Sequence, residues 1–314
     1  MARPELHEKI QLLHENIEKV IIGKSEVVRL VLVGLFAEGH ILIDDVPGVG
    51  KTTLARALAR SIRSTFRRIQ FTPDMLPTDI LGVPIYNAQQ DRFVFKPGPV
   101  FANVVLADEI NRTTPRTQSS LLEAMNEFQV SMDGATYPLP RPFIVLATQN
   151  PHEREGTFPL PESQLDRFLM RVEIGYPSRE DERRVLAAQR IAHPLESLEP
   201  VLEGSEVLAI QEAVRHVRVE ESVAEYVLDI VSATREDEAL EIGVSPRGGL
   251  SLSRAAQALA LIEGRDYCLP DDVKRLAVPV LAHRVIRTPT PAGPGSRDER
   301  QIIRDIVARI PVPV

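Results

Sequence analysis

The stretch HILIDDVPGVGKTTLARAL, residues 40–58, constrains the fold more than any other feature of the chain. A short β-branched run ends in two acids, a loop containing Gly48 and Gly50 follows, and a helical pattern opens at Lys51. Small residues at such a turn let backbone N–H groups converge on an anion, and the dipole of the following helix favours negative charge at the same place. Lys51 can reach the outer phosphates of a nucleoside triphosphate, Thr52 offers Mg²⁺ a hydroxyl, and Val49 and Thr53 complete the cradle. Asp45 stands where the general pattern G-x-x-x-x-G-K-[ST] opens with glycine. The later amides do most of the holding, so this substitution is expected to be tolerated. A chance Gly-Lys-Thr on a strand-to-helix turn would look the same, and the rest of the chain has to decide.

Apolar runs at 40–44, 67–71, 103–108, 142–148 and 169–174 are interspersed with helical stretches at 51–62 and 114–128. Strands that read as continuous apolar runs are buried on both faces, and helices between them supply the cover. The spacing predicts an α/β domain, a P-loop doubly wound parallel five-stranded sheet. Two stretches interrupt it, 82–100 and 129–139, the second with Asp133-Gly134 between alternating residues. Both read as inserted β-hairpins. Leu6, Ile10, Leu13, Ile17 and Val20 recur at steps of three and four, which places an amphipathic helix ahead of the sheet.

After Tyr176-Pro177 the strand signals stop. Helical patterns follow at 179–192, 205–218, 222–234, 247–263, 270–285 and 300–310, with Ser178 as an N-cap. The expectation is a core over 1–177 and a smaller all-α domain over 178–314, with an exposed Pro/Gly-rich loop at 287–296. LVLVGLF (30–36) is bracketed by Arg29 and Glu38 and falls far short of the roughly 20 apolar residues of a bilayer span.

Composition narrows the function. A net charge of −7 argues against non-specific nucleic-acid binding, which depends on Lys and Arg neutralising phosphates. Cys268 is the one cysteine, so neither an intrachain disulfide nor a cysteine-built zinc site can form, and a reducing compartment fits. The N-terminus has no apolar block of the signal-peptide kind, and a cytoplasmic location is expected.

Two further strand ends carry chemistry. VVLADEINR ends in Asp108 and Glu109. In P-loop hydrolases the first acid at such an end holds the Mg²⁺ shell, and an adjacent one can orient or deprotonate the attacking water. FIVLATQNP ends in Gln149-Asn150-Pro151, where a neutral amide can hydrogen-bond a phosphate or the water without adding charge. His152 and Glu153 read as ordinary loop polars. No spacing suits a protein-built metal site, which leaves nucleotide-borne Mg²⁺.

With these strand ends in order, the chain resembles the MoxR-like branch of the AAA+ ATPases over about residues 15 to 285. DDVPGVGKTTLARAL, QFTPDMLPTDILG, GPVFANVVLADEINR, SLLEAMNEFQVSMDG and SPRGGLSLSRAAQALAL carry the likeness, together with the run from FIVLATQNP to LDRFLMRV. The resemblance implies ATP and Mg²⁺ as cofactors, Thr52 and Asp108 for the metal, Glu109 as catalytic base and Asn150 as first sensor. Arg167, in LDRF, looks like an arginine finger for ATP bound in the neighbouring subunit. Arg247, in SPRG, looks like a second sensor reaching the γ-phosphate of its own subunit. Salt bridges tying lid to core are the lesser alternative for both arginines. Ile21, Ile22 and Gly23 match the segment near adenine, Gln70 matches a residue that restrains Glu109, and Arg112 suits either the adjacent subunit or a surface salt bridge.

For partners the resemblance implies a homo-oligomer, commonly a hexameric ring, protein clients, and often a protein with a von Willebrand factor A domain. The function it implies is an ATP-driven remodeller or chaperone, in maturation or metal insertion. Two other readings stay open. A DNA translocase would use the inserted hairpins, but NAQQDR and MDGAT supply little cationic contact for a phosphate backbone. A nucleotide-gated scaffold would bind ATP and scarcely turn it over.

Overall fold

The structure, a computed structural model, describes residues 3–150, 156–190, 193–289 and 297–313. Pro151, His152 and Glu153 lie outside them, as do residues 290–296 of the Pro/Gly-rich stretch. Helices α1 (Arg3–Glu18) and α2 (Ser25–Phe36) lead into β1 (Ile41–Asp44), α3 (Lys51–Ser61), β2 (Phe66–Gln70) and a short α4 (Pro77–Leu81). A hairpin of β3 (Gly82–Asn87) and β4 (Arg92–Pro97) precedes β5 (Val104–Asp108) and α5 (Pro115–Glu127). A second hairpin, β6 (Gln129–Met132) and β7 (Ala135–Pro138), precedes β8 (Ile144–Gln149), α6 (Glu162–Leu165) and β9 (Met170–Val172).

Five strands form one sheet in the order β2-β5-β8-β1-β9, all parallel. Alternate residues point to opposite faces and enter different cores. Ile41, Ile43, Val104, Leu106, Ile144 and Leu146 pack on the side of α1, α2 and α3. Leu42, Val105, Ala107, Val145 and Ala147 pack on the side of α5 with Leu121, Leu122 and Met125. The parallel register puts every strand's C-terminal end at one edge, where Asp44 is level with Gln149 and Gln70 with Asp108. Strand β2 is outermost and carries exposed Arg67, Arg68 and Gln70.

The greasy run at 30–36 is the interior of α2. Val27, Val28, Val31, Leu32, Val33, Leu35 and Phe36 are buried between the sheet and the helices that follow it. Each such side chain contributes about 1.5–3 kcal/mol, so an aspartate at Leu32 would break this layer. Its apolar residues surround the helix rather than marking one stripe, as suits an element covered on all sides.

Beyond the sheet lie α7 (Arg179–Ala188), α8 (Gly204–Arg215), α9 (Glu221–Glu236), α10 (Pro246–Ile262), α11 (Pro270–Leu281) and α12 (Glu299–Arg309). Ser178 caps α7 by accepting from the Asp181 N–H. This lid is helical, with one difference from the all-α expectation: β10 (Leu240–Ile242) pairs antiparallel with β11 (Ile286–Arg287). Strands this short leave no readable period in a sequence.

The inserted hairpins lean on one another, Phe95 of β4 stacking on Tyr137 of β7 with ring centroids 4.0 Å apart. Asp133 and Gly134 both take positive φ, the geometry of a two-residue turn that follows the twist of its strands.

Candidate active site

Gly48 and Gly50 sit at φ of 88° and 95°, where an L side chain would be strained. A Cβ at either would meet nothing within 4 Å, so the loop faces an open concavity. Gly50 precedes α3 and no side chain caps that helix, so the first-turn N–H groups at Lys51, Thr52 and Thr53 point toward the space an anion would fill. Lys51 Nζ donates to the Asp45 carbonyl at 2.6 Å. Burial pulls the Lys51 pKa below its ordinary value, against the charges of Asp108, Asp45 and Glu109.

Asp45 is more than a tolerated substitution. Its side chain is buried, with Oδ1 accepting from the Val46 N–H at 2.8 Å and Oδ2 from the Ile174 and Gly175 N–H groups at 2.7 and 2.6 Å. It ties the start of the loop to the chain leaving β9. A glycine could make none of these bonds.

At the end of β5, Asp108 Oδ1 accepts from the Thr148 hydroxyl at 2.6 Å, and that hydroxyl accepts from the Glu109 N–H at 2.9 Å. Glu109 has φ 59° and ψ 51°, a left-handed conformation that disfavours a side chain. Its carboxylate accepts from Gln70 Nε2 at 2.8 Å and from Arg112 at 3.1 Å. The expected contact between Gln70 and Glu109 is therefore present. Arg68 donates to Asp108 Oδ2 at 3.0 and 2.6 Å. The sequence reading missed Thr148 and Arg68, though a hydroxyl in an apolar buried strand and a cation inside a strand were both visible signals.

Asn150 follows β8 at the same edge, where the Asp45 N–H donates to the Gln149 carbonyl at 3.2 Å. Ile21 is buried in the core, while Ile22 is partly accessible and Gly23 exposed. A Cβ on Gly23 would fall 2.3 Å from the Asp181 carboxylate, so this segment runs directly under the start of α7. The hydroxyl of Thr52 and the carboxylate of Asp108 are hard oxygen donors beside an anion cradle, a set that fits Mg²⁺ arriving with a nucleotide. Among the described residues no group of three or more His, Cys, Asp or Glu could hold a metal by itself.

Arg167 and Arg247 are brought together, but elsewhere. Arg167 precedes β9, whose Met170 is level with Ile41 at the start of β1. Both arginines line a cleft of about 250 Å³ with Arg254, Arg284 and the Glu38–His40 turn. That cleft is at the N-terminal edge of the sheet, and the cradle follows the C-terminal end of β1, four residues or about 13 Å away. Arg247 donates to Asn126 Oδ1 at 2.7 Å. Arg247 is expected to reach the γ-phosphate of its own chain; here α10 holds it at the N-terminal edge of the sheet, at the other end of β1 from the cradle. Buried Arg284 sets the position of this loop, pairing with Asp166 and donating to the Phe168 carbonyl at 2.6 Å. Burial lowers the Arg284 pKa despite Asp166, and the charge of Arg247 adds to that lowering. Among the described residues no acid pairs with Arg167, Arg247 or Arg254.

Fold and site together define a P-loop protein of the AAA+ class with a helical lid. Residues 40–170 match the family model of the ATPase family associated with various cellular activities (AAA), and 232–306 match that of the AAA lid domain. The chain belongs to the MoxR-like family of AAA+ ATPases. It is 43% identical to Chaperone MoxR1 of Mycobacterium tuberculosis, over 90% of this chain and 77% of the relative. It is 50% identical to YeaC of Bacillus subtilis, an uncharacterized protein, over 99% and 97% of the two chains. A crystal structure from Cytophaga hutchinsonii superposes with a TM-score of 0.92 at 38% identity, covering 99% of this chain and 97% of that one. No described helix is long and apolar enough to cross a membrane.

Proposed function

We propose that this chain hydrolyses ATP at the seam between two copies and spends the conformational change on protein clients. One observation carries the reading: a phosphate cradle with two acids lies at one edge of the sheet, and Arg167, Arg247 and Arg254, which pair with no acid among the described residues, lie at the other. Thr52 and Asp108 hold the cation of the nucleotide, which supplies charge neutralisation at the phosphates. Glu109 orients the attacking water and takes its proton, Asn150 hydrogen-bonds the γ-phosphate, and Lys51 with the loop amides holds the phosphate oxygens. Ile22 and Gly23 border the base, with Ile21 packed beneath them.

Arg167 and Arg247 act together on the nucleotide of a neighbouring copy, a reading supported by their place at the edge opposite their own cradle. The oligomer is a hexameric ring on family resemblance, which also supplies the partner with a von Willebrand factor A domain. The division into a core over 1–177 and a lid over 178–314 allows hydrolysis to change the angle between them and move the hairpins against a client, in maturation, assembly or metal-cofactor insertion. Cys268 as the lone cysteine supports a cytoplasmic setting.

Mixing subunits tests the proposal. Arg167→Ala and Glu109→Gln are each expected to be inactive alone, and their mixture to regain part of the wild-type rate at interfaces that combine an intact base with an intact arginine. A mixture as dead as its components would show that the base and the arginine do not meet across copies.

A further inference from the structure

Arg68 lies two residues before Gln70 on the outer strand, so both side chains leave the same face of β2. Its guanidinium reaches across to β5, where Nε and one terminal nitrogen both donate to Asp108 Oδ2, at 3.0 and 2.6 Å. That terminal nitrogen also donates to Gln70 Oε1 at 2.6 Å. With its oxygen engaged by Arg68, the Gln70 amide presents its NH₂ to Glu109, and Nε2 donates to Oε2 at 2.8 Å. An unbroken chain of contacts therefore runs from the acid assigned to the cation to the acid assigned to the water.

We propose that Arg68 is a positioning residue that makes the two acids answer to each other. While it occupies Asp108 it holds the Gln70 amide against Glu109. When the cation of a bound nucleotide is taken up at Asp108 Oδ2, Arg68 lets go, the amide is free to turn, and Glu109 is released toward the water. This rests on the roles given above to Asp108 and Glu109.

Two features of the geometry support the exchange. Thr148 holds Oδ1 at 2.6 Å, so the carboxylate need not turn and Oδ2 alone changes partner. The Arg68 side chain is 47% exposed and that of Asp108 only 12%. The arginine can swing into water at little desolvation cost, and the enclosed acid has a cation beside it both before and after the exchange.

Titration of Mg²⁺ against binding of a fluorescent, non-hydrolysable ATP analogue tests this in the full chain, without turnover. Arg68→Ala is expected to lower the half-saturating Mg²⁺ concentration by about three- to tenfold, the scale of a charge-assisted pair at a half-exposed position. Affinity in EDTA should not change. Turnover at sub-saturating Mg²⁺ should rise relative to wild type, which a merely structural role would not produce. Arg68→Gln, which keeps a donor for Gln70 without the charge, should show the same Mg²⁺ shift and serves if the alanine variant folds poorly. An unmoved Mg²⁺ curve, or weakened binding in EDTA, overturns the latch while Asp108→Asn still loses its Mg²⁺ response. If Asp108→Asn keeps that response in full, the assignment of the site falls and the latch falls with it.

Discussion

The two edges of the sheet are built on opposite electrostatic terms. At the C-terminal edge both acids have donors, Arg68 on Asp108 and Arg112 with the neutral Gln70 amide on Glu109, while Lys51 donates to the Asp45 backbone carbonyl. At the N-terminal edge Arg167 and Arg254 have no acid partner among the described residues, and Arg247 binds only the neutral amide of Asn126. The second edge also holds the Arg284–Asp166 pair, but three of its arginines stand beside that pair without an acid of their own among the described residues. In this structure β1 lies between them, with the arginines at one end of the strand and the cradle at the other.

Glu109→Gln is the largest lever on this contrast, with turnover falling by about 10² to 10⁴ when the base is removed. Nucleotide binding should stay intact, as steady-state phosphate release beside equilibrium binding will show. An equal loss of both would mean that the acid edge holds ATP rather than working on it.

Acid sharpens the comparison through stability. His40 and His283 lie beneath the arginine edge, with pKa values pushed by burial down to about 4 and about 3. His40 Nδ1 accepts from the Val145 N–H at 3.1 Å and Nε2 donates to the Met125 carbonyl at 2.9 Å, so the neutral ring is the one that fits. Unfolded, each histidine takes a proton near pH 6.5, and folded it refuses one until far lower. Their stabilising contribution is therefore full above pH 6.5 and lost as pH falls toward 4, by up to about 1.4 kcal/mol per pH unit per histidine. Denaturant melts from pH 7 to pH 4.5 should show that slope, and His40→Gln should flatten it. A slope that His40→Gln leaves unchanged would assign the acid sensitivity elsewhere.

Asp45→Gly, which restores the general loop pattern, should cost about 2 kcal/mol because one buried and two part-buried N–H groups lose a charged acceptor. A thermal melt unchanged from wild type would return Asp45 to a neutral substitution. The smallest effect is expected at the hairpin surface. Phe93 is 70% exposed, so Phe93→Ser should shift stability by less than about 0.5 kcal/mol. Loss of client capture without a change in melting would place the hairpin at the working surface.

Much of the cradle was legible because its signals are local. Gly48, Gly50, Lys51 and Thr52 are close in sequence, and Asp108 and Glu109 end an apolar run that could only be a buried strand. The hairpins were legible for the same reason, Asp133-Gly134 being a turn in two letters. Asp45 was undervalued because its partners, Ile174 and Gly175, lie far along the chain and only the pairing of β1 with β9 makes them neighbours. Arg68 and Thr148 acquired roles only once β5 lay between β2 and β8.

By itself the sequence determined which chemical groups this protein possesses and which strand end carries each, because periodicity and turn chemistry act over a few residues. Where the arginines stand relative to the cradle was decided by the tertiary structure alone. The loop before β9 meets α10 through Arg284, which donates to Ser251 of that helix and pairs with Asp166 more than a hundred residues away, and no local preference encodes that encounter.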